Sequence, residues 1–131
     1  MQNFHHNGIC PIRDIISRLG NKWSLLVLLA LNSNGTMRYN EIQKSLGDIS
    51  ERMLSLTLRN LYSDGLINRT IYPQVPPRVD YCLSDMGCSL IPNIKSLVEW
   101  AANNSDTIMQ SRSKKAKGID QYSSSCWQNG Q

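Results

Sequence analysis

The chain has 131 residues, a formal net charge of +4, and 40% hydrophobic against 18% charged residues. That is the length of one domain, with enough apolar content for a core and far from the composition of chains that stay unfolded. The longest unbroken apolar run, Leu25 through Leu31, is seven residues, where a bilayer span needs roughly 20. The opening MQNFHHNGIC has no basic-then-apolar leader pattern, so membrane-spanning and secreted readings fall away. Four cysteines in a chain rich in Leu and Ile argue for a reducing, cytoplasmic setting over a disulfide scaffold. A sequence pI near 9.0 permits a polyanionic partner such as nucleic acid without demanding one.

Residues 1–7 read as a flexible arm. The first helix carries the stripe Ile12, Ile15, Ile16 and Leu19, with Pro11 suited to the first helical turn. The second, over about 22–31, is apolar nearly all round and reads as the buried central helix. The third, over about 38–46, sets Tyr39, Ile42 and Leu46 on one side and leaves Arg38, Asn40, Glu41, Gln43 and Lys44 for solvent or a ligand. The fourth starts after Ser50, a plausible N-cap, and ends at Asp64 with Gly65 as the left-handed cap residue. The period then changes. Residues 67–72 and 78–83 are rich in β-branched and aromatic types, with Val79, Tyr81 and Leu83 alternating against Arg78, Asp80 and Cys82. The proline-rich tip between them makes the pair a hairpin. A last helix follows Ser84. Its apolar face, with Leu90, Ile91, Ile94, Leu97, Val98 and Ala101, is wider than one small domain needs and points to burial against a second subunit. Pro92 implies a kink near Cys88 and Ser89. From 104 to 131 the serine-rich composition, without Leu or Val, reads as a mobile tail.

This order predicts a mainly α protein with a small β-hairpin wing, the winged helix-turn-helix arrangement in which the motif's second helix enters the major groove. On a helical wheel Leu54, Leu58 and Leu61 form the core stripe of the fourth helix. Arg52, Ser55, Leu56 and Arg59 lie opposite, with Met53 and Asn60 on the flanks. Arg52 can pair bidentately with guanine, Ser55 can donate or accept, and Leu56 can pack on a thymine methyl. The same face also suits an ordinary solvated helix; the adjacent hairpin, with Arg78 beside its tip to enter a minor groove or grip a phosphate, favours DNA. The candidate DNA contacts are Arg38, Asn40, Ser50, Arg52, Met53, Ser55, Leu56, Arg59 and Arg78. There is no Gly-rich phosphate loop and no nucleophile elbow, and the only two histidines are in the arm, so catalysis and a cofactor are not expected. His5, His6 and Cys10 lack the fourth ligand and paired spacing of a closed zinc site. A winged helix that docks protein in place of DNA is the alternative function.

The segments Cys10-Pro11, Gly20-Asn-Lys22-Trp23, Met37-Arg38-Tyr39-Asn40-Glu41-Ile42, Leu58-Arg59-Asn60-Leu61, Asp64-Gly65-Leu66-Ile67 and Tyr72-Pro73-Gln-Val-Pro76-Pro77-Arg78-Val79-Asp80-Tyr81 resemble the HxlR-type family of bacterial transcriptional regulators over about residues 8–103. The Val-Pro-Pro-Arg-Val hairpin and the Gly-x-Lys-Trp opening are the specific signals. The resemblance implies a dimer, related to MarR-type regulators, that binds double-stranded DNA at a short inverted repeat and regulates nearby genes; repression is the expected direction, with activation left open by the sequence. It maps the recognition helix to 50–64 and the wing to 69–81. It places dimer contacts on the first helix (Ile12, Ile16) and the last (Ile94, Leu97, Val98, Ala101). Glu51 stands where the family commonly has proline, and Leu56 where it has a polar residue. Cys10 sits at the start of the first helix, where the dipole favours thiolate; the unreactive reading is a small buried hydrophobe. The resemblance implies a thiol that senses quinones, aldehydes or oxidants at this position. Cys82 and Cys88 read as incidental, and Cys126 as a tail thiol.

Overall fold

The computed structural model describes residues 11–118. The elements run α1 (Pro11–Leu19), α2 (Lys22–Asn34), β1 (Met37–Arg38), α3 (Tyr39–Leu46), α4 (Glu51–Ser63), β2 (Ile67–Tyr72), β3 (Arg78–Leu83) and α5 (Asp85–Ala116). Contacts divide the chain into two units, one ending at Lys95 and one beginning at Ser96.

In the first unit α2 is the central helix, as its all-round apolar sequence predicts. Val27, Leu28, Ala30 and Leu31 are buried, and they pack with Ile42, Leu54, Leu58, Leu61, Ile67, Ile91 and Ile94 into one core. The Asn21 side chain opens α2 by accepting the Trp23 N–H at 2.8 Å, which satisfies one of the helix's orphan donors. The Lys22 ammonium lies 4.6 Å from the centre of the Trp23 ring. The first helix begins at Pro11 as expected, but none of its residues is buried. The Arg18 guanidinium ties it to the far end of α4 by an ion pair with Asp64 at 2.7 Å.

The hairpin is part of a larger sheet than expected. Strand order is β1-β3-β2, all antiparallel, because Met37 and Arg38 pair with Tyr81 and Asp80 along the free edge of β3. Within β3 the expected alternation is absent. Asp80 is 6% exposed, while Arg78 and Cys82 are half-buried like Val79, Tyr81 and Leu83. Strand β3 has a neighbour on each side, and its carboxylate is accommodated because Arg78 donates two hydrogen bonds to it, at 3.0 and 3.1 Å.

A hydrogen-bonded turn joins α4 to β2. The Leu66 N–H reaches the Leu61 carbonyl and the Gly65 N–H reaches that of Tyr62, each at 3.0 Å. Gly65 takes the left-handed conformation with φ +80°. This is the Schellman arrangement, with buried Leu61 and Leu66 as its apolar pair. Ser84 fastens the head of α5 to the same turn: its hydroxyl donates to the Gly65 carbonyl at 2.6 Å and accepts the Gly87 N–H at 3.0 Å. Gly87 lies so close to the Leu66 backbone that a β-carbon there would overlap the carbonyl oxygen.

Two expectations for the last helix need correction. Ile94, read as a dimer contact, is 3% exposed and part of the protomer's own core. The helix also passes Pro92 and continues through 104–116, where the serine-rich sequence reads as tail. Serine hydroxyls and asparagine amides there bond back to the preceding turn, Asn104 to the Trp100 carbonyl and Ser105 to that of Ala102, so their polarity does not break the helix. In the second unit Leu97, Val98, Trp100 and Met109 are exposed. No helix among the described residues is long and apolar enough to cross a membrane. The arm residues His5 and His6, together with Cys10 and Cys126, lie outside the described residues.

Candidate nucleic-acid interface

Helices α3 and α4 form the helix-turn-helix. Gly47, at φ +80°, closes α3, buried Ile49 anchors the turn, and the Ser50 hydroxyl accepts the Met53 N–H at 3.1 Å to open α4. The Tyr39 hydroxyl donates to the Glu51 carbonyl at 3.1 Å and lies 3.4 Å from the Ser55 hydroxyl, locking the start of α3 to the start of α4. The faces of α4 divide as the wheel predicts. Leu54, Leu58 and Leu61 are buried, joined by Thr57, while Arg52, Ser55, Leu56 and Arg59 are exposed together with Glu51.

Among the candidate contacts, Met53 and Arg78 sit differently from the sequence reading, while Ser50 caps the helix as read and Arg38 stays exposed. Met53 is half-buried against the core, since its flank position rolls inward. Ser50 has its oxygen engaged as the helix cap. Arg38 is a strand residue as well as the residue before α3, with its N–H bonded to Glu41 Oε1 at 2.8 Å; its side chain, like that of Asn40, is exposed. Arg78 does not project freely from the wing. Its guanidinium is held by Asp80 and lies 5.0 Å from the centre of the Tyr72 ring. The Arg78 hydrogen bond is the largest influence on Asp80 and holds its carboxyl below the ordinary range, against the opposing effect of burial; the same bond raises Arg78. With Arg78 folded back, the tip of the wing is Val75, 99% exposed, flanked by exposed Gln74 and Pro76.

The sequence reading missed a group of aromatic and basic residues beside α4. A cleft of about 180 Å³ is lined by Tyr39, Ser55 and Arg59 of the helix pair, Tyr62 at the end of α4, and Arg69 and Tyr81 of the wing. The Arg69 guanidinium stacks 4.5 Å from the centre of the Tyr62 ring. Burial raises the Tyr81 phenol above its usual range, with Arg69's charge opposing. The available signals were Tyr62 three residues beyond Arg59 on the same helix, and Arg69 facing Tyr81 across the hairpin. A second cleft of about 300 Å³ runs between Arg38, Asn40 and the wing tip at Gln74 and Pro76. No cluster of three His, Cys, Asp or Glu residues among the described residues is placed to hold a metal ion.

These features match known regulators. The HxlR-like helix-turn-helix family matches residues 18–109. An uncharacterised HTH-type transcriptional regulator of Methanothermobacter thermautotrophicus is 47% identical over 92 residues, covering 70% of each chain. A YtfH structure from Salmonella typhimurium superposes with a TM-score of 0.74 at 33% identity, over 82% of this chain and 95% of its own. The redox regulator HypR in its reduced form superposes with a TM-score of 0.70 at 34% identity, over 76% and 98%. An exposed polar and basic helix face, set by a capped turn beside a wing, thus occurs in a chain of matching sequence and fold: this protein belongs to the HxlR-like helix-turn-helix family of transcriptional regulators.

Proposed function

We propose that the protein is a homodimeric repressor that binds an inverted-repeat operator, with α4 of each copy in successive major grooves and the wings on flanking DNA. The observation that carries this reading is the outward face of α4. Arg52, Ser55, Leu56 and Arg59 are exposed together on a helix whose ends are both capped, so base-reading side chains are offered from a fixed backbone. Ile12, Ile15 and Ile16 on α1 and, separately, Leu97, Val98 and Trp100 on α5 are exposed and are the faces a second copy would cover.

The test is a titration with the DNA upstream of the protein's own gene. Arg52→Ala is expected to weaken operator binding by about 1–3 kcal/mol and to leave random DNA nearly unaffected; an equal loss on both would make Arg52 a phosphate contact. A protein that binds no duplex in a salt-dependent manner would favour the protein-docking reading.

The same proposal extends to control by a thiol, supported by the likeness to HypR, a redox regulator with reduced and oxidised forms. The candidate is Cys10, immediately before Pro11. Two Cys10 thiols joined as a disulfide across the dimer give two electrons and two protons to the oxidant and form one S–S bond. Operator affinity should fall on treatment with a mild thiol oxidant and stay unchanged in Cys10→Ser. Equal binding by oxidised and reduced wild type would remove this part of the reading.

A further inference from the structure

We propose that the cleft between α4 and the wing is a seat for one phosphodiester group of the DNA backbone, with Arg59 and Arg69 as its two cationic walls. This rests on the reading of α4 as a DNA-reading helix and adds a site that fixes how the helix and the wing sit on one strand. Four observations converge on it. The cleft is lined by an arginine from the helix and an arginine from strand β2, and no carboxylate lines it. Neither arginine forms an ion pair among the described residues, in contrast to Arg18 and Arg78, which are matched by Asp64 and Asp80. The Arg69 guanidinium lies over the Tyr62 ring, 4.5 Å from its centre, a cation–π contact that restrains the arginine beside the cleft before a ligand arrives. Tyr81, cross-strand partner of Arg69, lines the same cleft and adds a phenol, a neutral group able to donate a hydrogen bond.

This donor set defines its ligand. Two permanent cations and a phenol offer donors with no anionic acceptor among them. Tyr39 in the same wall already donates its hydroxyl hydrogen bond to the Glu51 carbonyl. Such a site takes a compact anion rich in acceptor oxygens, and the forked geometry of arginine suits phosphate. Because the two arginines come from the helix and from the wing, a single phosphate bridges both elements. It would set their register on the duplex without reading any base.

The experiment measures dissociation constants over a salt series for an operator duplex and a random duplex. Arg69→Ala is expected to weaken both by the same factor, about tenfold, and to reduce the slope of log affinity against log salt by about 1. Tyr62→Leu should lose part of this effect and Tyr62→Phe none, since the phenyl platform is retained. Replacing backbone phosphates one at a time by neutral methylphosphonate should find one position where wild type loses affinity and Arg69→Ala loses nothing further. An unchanged slope for Arg69→Ala, or a loss confined to the operator, overturns the seat. A separate arm uses inorganic phosphate and the side-chain NMR signals of Arg69. If wild type binds neither duplex, the DNA reading itself fails. Should inorganic phosphate then still shift the Arg69 signals, the occupant is a free anion and the phosphodiester assignment is overturned.

Discussion

At the scale of single residues, the wing is organised by a charge that the pattern of the strand would send outward. Asp80 is held by Arg78 and joined in the sheet to Arg38, so an acid on the middle strand becomes the anchor of the wing's base. Its lowered pKa has a definite pH consequence. The contribution of the pair is complete above the ordinary aspartate range, about pH 3.9, and disappears as pH falls through Asp80's lower native value. Asp80→Asn should therefore lower the melting temperature at pH 7 and flatten its acid-side decline. A mutant with an unshifted acid profile would show that the pair adds nothing to stability. Gly87 is a steric requirement of another kind. With the Leu66 carbonyl in the space of a β-carbon, Gly87→Ala has to move the head of α5 away from β2. Denaturant unfolding should show a loss of about 1–3 kcal/mol.

At the scale of elements, the sequence was most legible where one period ran long enough to be read. Helix α4 announces itself by Ser50, three leucines and Gly65, and the strands by their β-branched runs, because local signals suffice for both. Strand β1 was not legible. Two residues cannot show alternation, and Met37 and Arg38 become a strand only through partners more than forty positions away. The same holds for the site. The exposed face of α4 can be drawn from a wheel, whereas the cleft that unites Arg59 with Arg69 exists only once the hairpin is placed. The end of α5 is hidden in the sequence because its serine-rich composition, without Leu or Val, reads as a mobile tail, while in the helix Asn104 and Ser105 bond to its own carbonyls. Removing the cap at the start of α4 tests how far the reading helix depends on it. Ser50→Ala gives up the bond to the Met53 N–H and should cost about 1 kcal/mol in thermal or chemical unfolding. If the helix start is also the register stop for DNA, operator affinity falls by more than that stability loss accounts for.

At the scale of the whole molecule, the exposed apolar residues set the expectation of association. Ile16 is exposed beside Ile12 and Ile15 on α1, and Trp100 beside Leu97 and Val98 on α5, and grouped apolar exposure of this kind marks a contact surface. In the proposed dimer, Trp100→Glu is expected to shift sedimentation at micromolar concentration toward monomer and to weaken operator binding more than half-site binding. A variant that remains dimeric would place the interface elsewhere. A symmetric dimer also fixes the distance between its reading heads. Operators whose half-sites are moved from about 10 base pairs apart by half a helical turn should lose specific binding, and those moved by a full turn should lose less.

The closures at the two ends of α4 carry a thermodynamic consequence. A helix whose Met53 N–H is already capped by Ser50 and whose last carbonyls, Leu61 and Tyr62, already accept from the Gly65 turn has its ends formed before it meets its partner. Association should then proceed as rigid docking: the heat-capacity change on binding should match the surface buried at the contact, with no added contribution from ordering the helix. Hydrogen exchange at the Met53 and Leu66 amides should be as slow in the free protein as in the complex, and slower in both than at the exposed tip of the wing.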